Sequence, residues 1–482
     1  MTNVGSHPHT RLKAVSQTCL LAAVVSASFA IAPSASGQIA TEDLKILAAD
    51  TVTGDFFGNS IATFGGFVAI AANQDDDNGL DSGSAYLFDL SIDSQFGTQV
   101  HKFLPGDGAA GDRFGRSIAF ADQGCGALCV INHSQASGIV VVGANGHDGI
   151  DSDSGAAYVF NASTGNQTHK LVPNDAAKND FFGDSVATDA VRIAVGAQGS
   201  TGVSLDSGAV YLFSASTGSQ LQKLIATDGQ TNDFFGFSVD IDGSIVVVGA
   251  NGDDDNGDSS GSAYLFNAST GAQLYKLTPN DPAPFDHFGN SVAIDGGIVV
   301  VGSFSDDDNG SLSGSAYLFD AATGQQLAKL LPNDGGVNQL FGISVAIDNG
   351  TVLVGASTDD DNGSNSGSAY LFNAATGQQT KKLLPSDGAV GEQFGGAVAL
   401  ENDTVVVGAS KDDDRGVLGG SAYVFDISCR IDLNNDGVVD NGDISLFITL
   451  LLAQSLLVDF NNDGIIDNGD ISAFITLFLA GC

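Results

Sequence analysis

Two twelve-residue segments near the C terminus carry oxygen-bearing side chains at the spacing that a calcium ion requires. In each segment positions 1, 3, 5, 9 and 12 are Asp or Asn, position 6 is Gly, and position 7 supplies a backbone carbonyl. The residues are Asp432, Asn434, Asp436, Val438, Asp440 and Asp443 in the first segment, and Asp459, Asn461, Asp463, Ile465, Asp467 and Asp470 in the second. Because the glycine permits the bend that turns these oxygens inward, we predict that the two loops bind two Ca²⁺ ions.

Aspartate runs also recur in loops earlier in the chain. The paired positions are Asp75 and Asp77, Asp253 and Asp255, Asp306 and Asp308, Asp359 and Asp361, and Asp412 and Asp414. Several carboxylates in one loop could hold Ca²⁺, because hard cations prefer oxygen ligands. The alternative is that these Asp-rich clusters are solvated turn residues, since adjacent carboxylates in a run do not all point one way.

No catalytic motif lies in the structural context that its chemistry requires. Gly257, Ser259 and Gly261 match GxSxG, but they lie in a repeated loop and lack the strand-to-helix turn that exposes a nucleophile. The histidines form no HExxH arrangement, and carboxylates are too abundant for any pair to indicate glycosidase chemistry. We therefore predict that the protein is not an enzyme.

A Phe-Gly pair opens a short apolar run at seven equivalent places, and from Phe182 onward it returns with a period of 53 residues. The pairs begin at Phe57, Phe114, Phe182, Phe235, Phe288, Phe341 and Phe394. A fixed period of this length indicates one supersecondary unit copied many times, stacked or closed into a ring.

Each unit contains four short β-strand signals separated by turns, which we label A (the Phe-Gly strand), B (typified by VVVGA), C (typified by SAYLF) and D (ending in Lys-Leu). Strand D is out of phase, because its first copy, residues 44–47, precedes the first A strand, and the last C strand has no D strand after it. A closed ring explains this offset, since the N-terminal strand would complete the sheet of the last blade, and neither end of the array of blades would be left unpaired. We therefore predict an all-β, seven-bladed propeller over residues 41–428.

The repeated pattern FxxSVAIxxxxVVVGAxxDDDNGxxSGSAYLF resembles the FG-GAP repeat, the blade type of integrin α-chain propellers and of many secreted bacterial proteins. The resemblance covers about four-fifths of the chain. It departs in one respect, because the calcium loop that integrin blades carry between strands A and B is here a tight turn such as 295–297. Those integrin metal sites therefore cannot be carried over to this chain.

The alternation of strand direction places the B–C loops and the D–A connections on the same face of the ring. Both sets are acidic, so we expect one strongly negative face. The opposite face is expected to show neutral turns such as residues 268–271.

The C-terminal segment, residues 429–482, resembles a dockerin, a small module of two calcium loop-helix units that docks on a cohesin partner. Apolar residues follow each loop at helical spacing: Ile444, Phe447, Ile448 and Leu451, then Ile471, Phe474, Ile475 and Phe478. Loop positions 10 and 11 are Asn-Gly in both copies, whereas dockerins often carry small hydroxyl residues there. The resemblance implies calcium-stabilised folding and a possible cohesin-like partner; the alternative is a surface-retention or sorting tail.

The four cysteines beyond residue 37 form two local pairs, and the N terminus looks like an export signal. Cys125 and Cys129 lie in an insertion between strands A and B of blade two, and Cys429 and Cys482 bracket the tail, so two disulfides are expected. Residues 1–37 combine basic residues, an apolar stretch and small residues, the layout of a signal peptide. We therefore expect a secreted or cell-surface protein without a membrane span.

Composition restricts the range of partners. The chain has a net charge of −40, from 17 basic and 57 acidic residues among 482. Such a surface repels nucleic acid and attracts cations. The sequence favours a secreted, non-catalytic binding or adhesion protein that takes an extracellular protein or polysaccharide. The alternatives are a polysaccharide-degrading enzyme component and a purely structural surface protein.

Overall fold

The computed structural model describes residues 38–40, 42–90, 97–121, 138–427, 441–452, 471–472 and 474–475. The chain divides into two compact units, Gly37–Ser428 in one and Met1–Ser36 with Cys429–Cys482 in the other. The predicted signal peptide, both predicted disulfides and all predicted calcium ligands except Asp443 lie outside the described residues. Within the described part, no helix has the length and apolar character needed to cross a bilayer.

The unit Gly37–Ser428 is a seven-bladed β-propeller of antiparallel sheets, as predicted. Blades one to three comprise Phe57–Phe64 (β3), Phe67–Ala72 (β4), Ser84–Asp89 (β5) and Thr98–Phe103 (β6); Phe114–Ala121 (β7), Ile139–Ala144 (β8), Ala156–Asn161 (β9) and Gln167–Leu171 (β10); Val186–Thr188 (β11), Arg192–Ala197 (β12), Ala209–Ser214 (β13) and Gln220–Leu224 (β14). In every blade the strands lie in the order A, B, C, D, from A nearest the axis to D at the outside.

The remaining blades repeat the same plan. They comprise Ser238–Asp242 (β15), Ile245–Ala250 (β16), Ser262–Asn267 (β17) and Gln273–Leu277 (β18); Ser291–Asp295 (β19), Ile298–Ser303 (β20), Ser315–Asp320 (β21) and Gln326–Leu330 (β22); Phe341–Asp348 (β23), Thr351–Ala356 (β24), Ser368–Asn373 (β25) and Gln378–Leu383 (β26); Ala397–Glu401 (β27), Thr404–Ala409 (β28) and Ser421–Asp426 (β29).

The ring closes through the N-terminal strand. Leu44–Ile46 (β2) pairs antiparallel with β29 and becomes the outer strand of blade seven. The predicted closing strand is confirmed. A further strand, Gln38–Ala40 (β1), pairs in parallel with β26 and extends blade six to five strands. The predicted start of the propeller at residue 41 was therefore too late, because three residues carry too little alternation to indicate a strand.

Each hydrophobic core lies between two neighbouring blades. Phe235, for example, packs edge-to-face on Tyr264 and Phe266, with both ring centroids 5.5 Å away. The same cluster includes Val210 and Leu212 of the preceding blade. Equivalent aromatic pairs recur in all seven blades. The phenylalanine of each Phe-Gly pair therefore fills the gap between blades, as the repeat predicted.

Two faces of the propeller follow from this topology. The B–C loops and the D–A connections form the loop face, and the A–B and C–D turns form the turn face. On the loop face a B–C loop lies against the next D–A connection; for example, a Cβ built on Gly310 would contact Cγ1 of Val337 at 3.0 Å. This arrangement confirms that the two sets of loops share one face.

The tail unit contains one described helix, Asn441–Leu452 (α1). Residues 471–472 and 474–475 are also helical. Phe447 and Phe474 are both buried and stack with centroids 3.9 Å apart. The apolar stripes predicted on the two helical segments therefore pack against each other at this pair. The two calcium loop-helix units stay a prediction, because the loops lie outside the described residues.

Glycine at the loop-face end of strand C is required by close approach of the next blade. A Cβ at Gly314, whose φ is +82°, would overlap the backbone oxygen of Phe341. Gly296 also has a positive φ, +56°, but nothing lies within 4 Å of a Cβ built there. We predict that Gly314→Ala lowers the free energy of unfolding by about 2 kcal/mol more than Gly296→Ala, because only the first adds a steric clash to the backbone strain. Urea unfolding measures both; equal losses would contradict this account of the blade interface.

Candidate functional site

The predicted acidic loops of the loop face are organised around lysines. In blade four, Oδ2 of Asp253 accepts hydrogen bonds from the Tyr264 hydroxyl at 2.7 Å and from Lys276 Nζ at 2.8 Å. Lys276 also pairs with Asp255 and with Asp228 of the D–A connection. The ammonium lies 5.3 Å from the centroid of the Tyr264 ring. We call this group of a D-strand lysine, a C-strand tyrosine and the surrounding carboxylates a lysine clamp.

Five blades have a lysine clamp with three carboxylates. These are Lys102 with Asp50, Asp75 and Asp77; Lys276 with Asp228, Asp253 and Asp255; Lys329 with Asp281, Asp306 and Asp308; Lys382 with Asp334, Asp359 and Asp361; and Lys45 with Asp387, Asp412 and Asp414. The predicted paired aspartates are thus brought together in every case. Each clamp joins the outer strand, the B–C loop and the incoming connection of one blade.

The lysine supplies a positive charge among carboxylates that the sequence predicted as one possible metal site. The first carboxylate of each pair is buried; Asp412, for example, is 1% exposed. Although burial raises the pKa of Asp412, its hydrogen bonds to Lys45 and neighbouring groups hold that pKa below the usual range. Among the described residues, no group of three or more His, Cys, Asp or Glu is arranged to hold a metal ion. In these loops a lysine ammonium group therefore lies among the carboxylates, and Ca²⁺ binding there stays a prediction.

Blades two and three have altered clamps. In blade two His147 takes the place of the first aspartate, and its Nε2 lies 2.7 Å from Lys170 Nζ. Because an ammonium group can only donate, Nε2 accepts this bond and Nδ1 donates to Asp112 Oδ2 at 3.0 Å. In blade three Lys223 retains a single carboxylate partner, Asp175.

A second set of carboxylates lies in the D–A connections, two residues before the Phe-Gly pair in every blade except blade six. Asp55, Asp233 and Asp286 are buried, and each accepts a hydrogen bond from the backbone N–H three residues earlier. Burial and, to a smaller extent, neighbouring carboxylates raise the pKa of each of them to about 6. In blade six Gln339 makes the same backbone bond without a charge.

The turn face is not neutral, which corrects the prediction made from residues 268–271. Five carboxylates occupy equivalent A–B turns and line a cavity of about 790 Å³. They are Asp189, Asp242, Asp295, Asp348 and Glu401. Most of them link neighbouring blades; Asp295, for example, accepts the backbone N–H of Asn349 at 2.9 Å, and Glu401 accepts that of Gly65 at 2.8 Å. Burial raises the pKa of Glu401.

Sequence reasoning missed both the lysine clamps and the turn-face carboxylates, although a signal existed for each. A lysine followed by Leu, Ile or Phe in strand D and a tyrosine in strand C each occur in all seven units. Their common spacing indicated a shared role. In blades three to seven an acidic residue also lies at the end of strand A or directly after it.

The loop face also carries exposed apolar side chains. Those more than half exposed on this face are Val52, Leu80, Ile150, Val203, Leu205, Phe285, Val337, Val390 and Val417. Elsewhere on the described propeller only Val191, on the turn face, and Leu327, on an outer strand, exceed half exposure among large apolar residues. Exposed apolar residues that are concentrated on one face are typical of interaction surfaces. The loop face is therefore the candidate functional site.

Comparison with known protein families agrees with the repeat seen in the structure. A family model described as FG-GAP repeat matches residues 40–88, 166–213, 219–266, 272–319, 325–372 and 378–425. Together these matches cover more than half of the chain, and each runs from a D strand to the following C strand. No curated protein matches the chain.

The clamp of blade seven should contribute strongly to stability because it joins the two ends of the propeller. We predict that Lys45→Met lowers the free energy of unfolding by about 3 kcal/mol, because it leaves the buried Asp412 without a counter-charge. Lys223→Met is the matched control, and its loss should be below about 1 kcal/mol because its partner Asp175 is half exposed. Urea unfolding of both variants measures the difference. Equal losses would show that the number of carboxylates does not determine the contribution of a clamp.

The raised pKa of Asp286 predicts a pH-dependent effect of neutralisation. Since its folded-state pKa lies above the usual value, the group favours the folded state at low pH, and this contribution is lost as pH rises through about 6. We predict that Asp286→Asn raises the free energy of unfolding by about 1 kcal/mol at pH 7.5 and has little effect at pH 4. Chemical unfolding at the two pH values tests this, and an equal effect at both would rule out the carboxylate charge as the cause.

Proposed function

Because the chain belongs to the FG-GAP repeat family, we propose that its propeller is a non-catalytic binding or adhesion module whose ligand docks on the loop face. One observation carries this proposal: the exposed apolar residues of the propeller are concentrated on that face, between carboxylates whose charge is partly balanced by the lysine clamps. Apolar side chains at the tips of these loops contribute binding free energy when a partner buries them, and the surrounding charges contribute specificity. An extracellular protein or a polysaccharide fits this surface.

The proposal includes export of the chain and a calcium-binding tail. Export is supported by the signal-like residues 1–37, and calcium binding is supported by the repeated loop spacing. Asp443, the twelfth residue of the first loop, is buried in the first turn of α1, where an acidic residue suits a helix start. The residues that would hold Ca²⁺ are the two sets given in the sequence analysis, and the ion would stabilise the tail. A cohesin-like partner for this tail rests on the dockerin resemblance alone.

Single charge substitutions on the two faces test the binding proposal. We predict that Leu80→Asp and Val390→Asp weaken binding at least tenfold in an array of polysaccharides and extracellular proteins, assayed with and without calcium. Leu80 and Val390 are about as exposed as Val191, at 69%, 71% and 67%, so Val191→Asp on the turn face is the matched control and should bind normally. Unchanged melting temperatures would confirm folding. Release of reducing sugar from any polysaccharide, or equal losses from both faces, would contradict the proposal.

A further inference from the structure

The clamp of blade two contains a histidine where five of the other blades have an aspartate. His147 stands at the position of Asp75, Asp253, Asp306, Asp359 and Asp412, and blade three has Ser200 there. An aspartate paired with a lysine stays ionised between about pH 5 and 8, whereas histidine is the side chain that changes charge in this range. The clamp of blade two is therefore the one whose central group can respond to mild acidification.

The hydrogen bonds of His147 require a neutral imidazole ring. His147 is buried, with its Nε2 2.7 Å from Lys170 Nζ and its Nδ1 3.0 Å from Oδ2 of the buried Asp112. Since an ammonium group has no acceptor atom, the ring carries its proton on Nδ1 and accepts at Nε2. Protonation of the ring turns Nε2 into a donor that faces another donor, so the bond between His147 and Lys170 is then lost.

Titratable groups from each neighbouring segment face this ring. The D–A connection supplies Asp112 and also Asp107, whose Oδ2 lies 4.0 Å from Nε2. Strand β10 supplies Lys170, and β9 supplies Tyr158, whose ring meets the imidazole edge-to-face at 6.2 Å. The acidic residues of the same loop, Asp148, Asp151 and Asp153, are exposed or half-exposed. Two nearby carboxylates favour a protonated ring, and Asp107 is within a small shift of hydrogen-bonding distance from the protonated Nε2.

In blade two the clamp holds the B–C loop through this one bond. In blade four, by contrast, the clamp lysine pairs with two aspartates of its B–C loop. Both Lys170 and the Tyr158 hydroxyl contact Asp107 of the D–A connection instead. Among the described residues, the bond to His147 is therefore the only polar contact of Lys170 with the B–C loop. This loop, residues 145–155, carries Ile150, one of the exposed apolar residues of the loop face.

We propose that His147 and Lys170 form a pH-sensitive latch for the B–C loop of blade two. At neutral pH the imidazole accepts the hydrogen bond of Lys170 and ties the loop to β10. On acidification the ring takes up a proton, the two cations separate, and the protonated ring turns toward Asp107, so the loop loses its link to β10. Because this loop carries Ile150, acidification weakens ligand binding at the loop face; this last step rests on the proposed function.

Hydrogen exchange of the full chain at pH 8 and pH 5, corrected for the intrinsic pH dependence of exchange, measures the latch directly. The reporters are the amides of Ser154 and Gly155, which donate within the loop to the carbonyls of Asp151 and His147 at 3.2 and 2.9 Å. Local opening of the loop exposes these amides to solvent, so their exchange rate reports how firmly the loop is held.

Three variants separate the histidine from other titrating groups. His147→Asp restores the residue of the other clamps and removes the imidazole, whereas Lys170→Met keeps the imidazole and removes its partner. His101→Gln is the matched control, because the ring of His101 contacts Ser163 in a C–D turn on the turn face. Melting temperatures verify that all variants fold.

In the native chain and in His101→Gln, we expect both amides to exchange at least fivefold faster at pH 5 than at pH 8. Exchange should be independent of pH in His147→Asp and fast at both pH values in Lys170→Met. Equal protection at both pH values in the native chain would overturn the latch. So would a pH dependence that survives His147→Asp, or slow exchange of Lys170→Met at pH 8.

Binding of the ligand that depends on Leu80 and Val390 tests the last step. Three loop-face carboxylates, Asp55, Asp233 and Asp286, have a pKa of about 6 in both proteins, so only the difference between the native chain and His147→Asp reports the latch. Binding should weaken at least fivefold more at pH 5 in the native chain. Equal weakening would overturn control of binding while the proposed function stands. If no ligand depends on Leu80 and Val390, the proposed function fails and hydrogen exchange alone decides the latch.

Discussion

Closure of the ring is the constraint on which the rest of the structure depends. Blade seven obtains its outer strand from Leu44–Ile46, which pairs with β29 more than 370 residues later in the chain. The entropic cost of closing a chain grows only with the logarithm of its length, so this separation is not prohibitive. The paired backbone, together with the contact of Lys45 with three carboxylates, offsets that cost. Only a closed ring gives every blade two neighbours and collects all B–C loops on one face.

The lysine clamps explain how so acidic a chain can pack its loops closely. A carboxylate that is removed from water needs a counter-charge and hydrogen bonds. The D-strand lysine provides the charge, and the C-strand tyrosine provides a further donor. The outer aspartates of each clamp remain exposed; Asp308, for example, has a side-chain exposure of 54%. Most of the remaining negative charge therefore faces solvent, where it is screened by salt.

The sequence predicted the architecture well because period, alternation and strand phase are local signals repeated seven times. The offset of strand D even predicted closure. It predicted the chemistry less well, because clamp partners come from three separate segments. Lys276 and Asp228, for example, are 48 residues apart, and only the fold shows that they meet. The aspartate runs predicted a metal as one alternative, because a single loop does not reveal the lysine opposite it, and Ca²⁺ binding there stays a prediction. The strand β1 and the turn-face carboxylates were missed for a similar reason, since each depends on a neighbouring blade.

Because the blades are repeats within one chain, residues that the fold requires should recur in every blade, whereas residues that vary between blades are not required by the fold. Blade two retains the interblade packing, because Phe114 and Tyr158 share a hydrophobic cluster with Leu87 and Phe103 of blade one. The same blade nevertheless replaces the clamp aspartate with His147, and its first three strands lie in the stretch 89–165 that the repeat model does not match. A blade that preserves its packing while changing its polar groups is not being altered to fold better. We attribute these polar changes to the proposed binding function of the loop face.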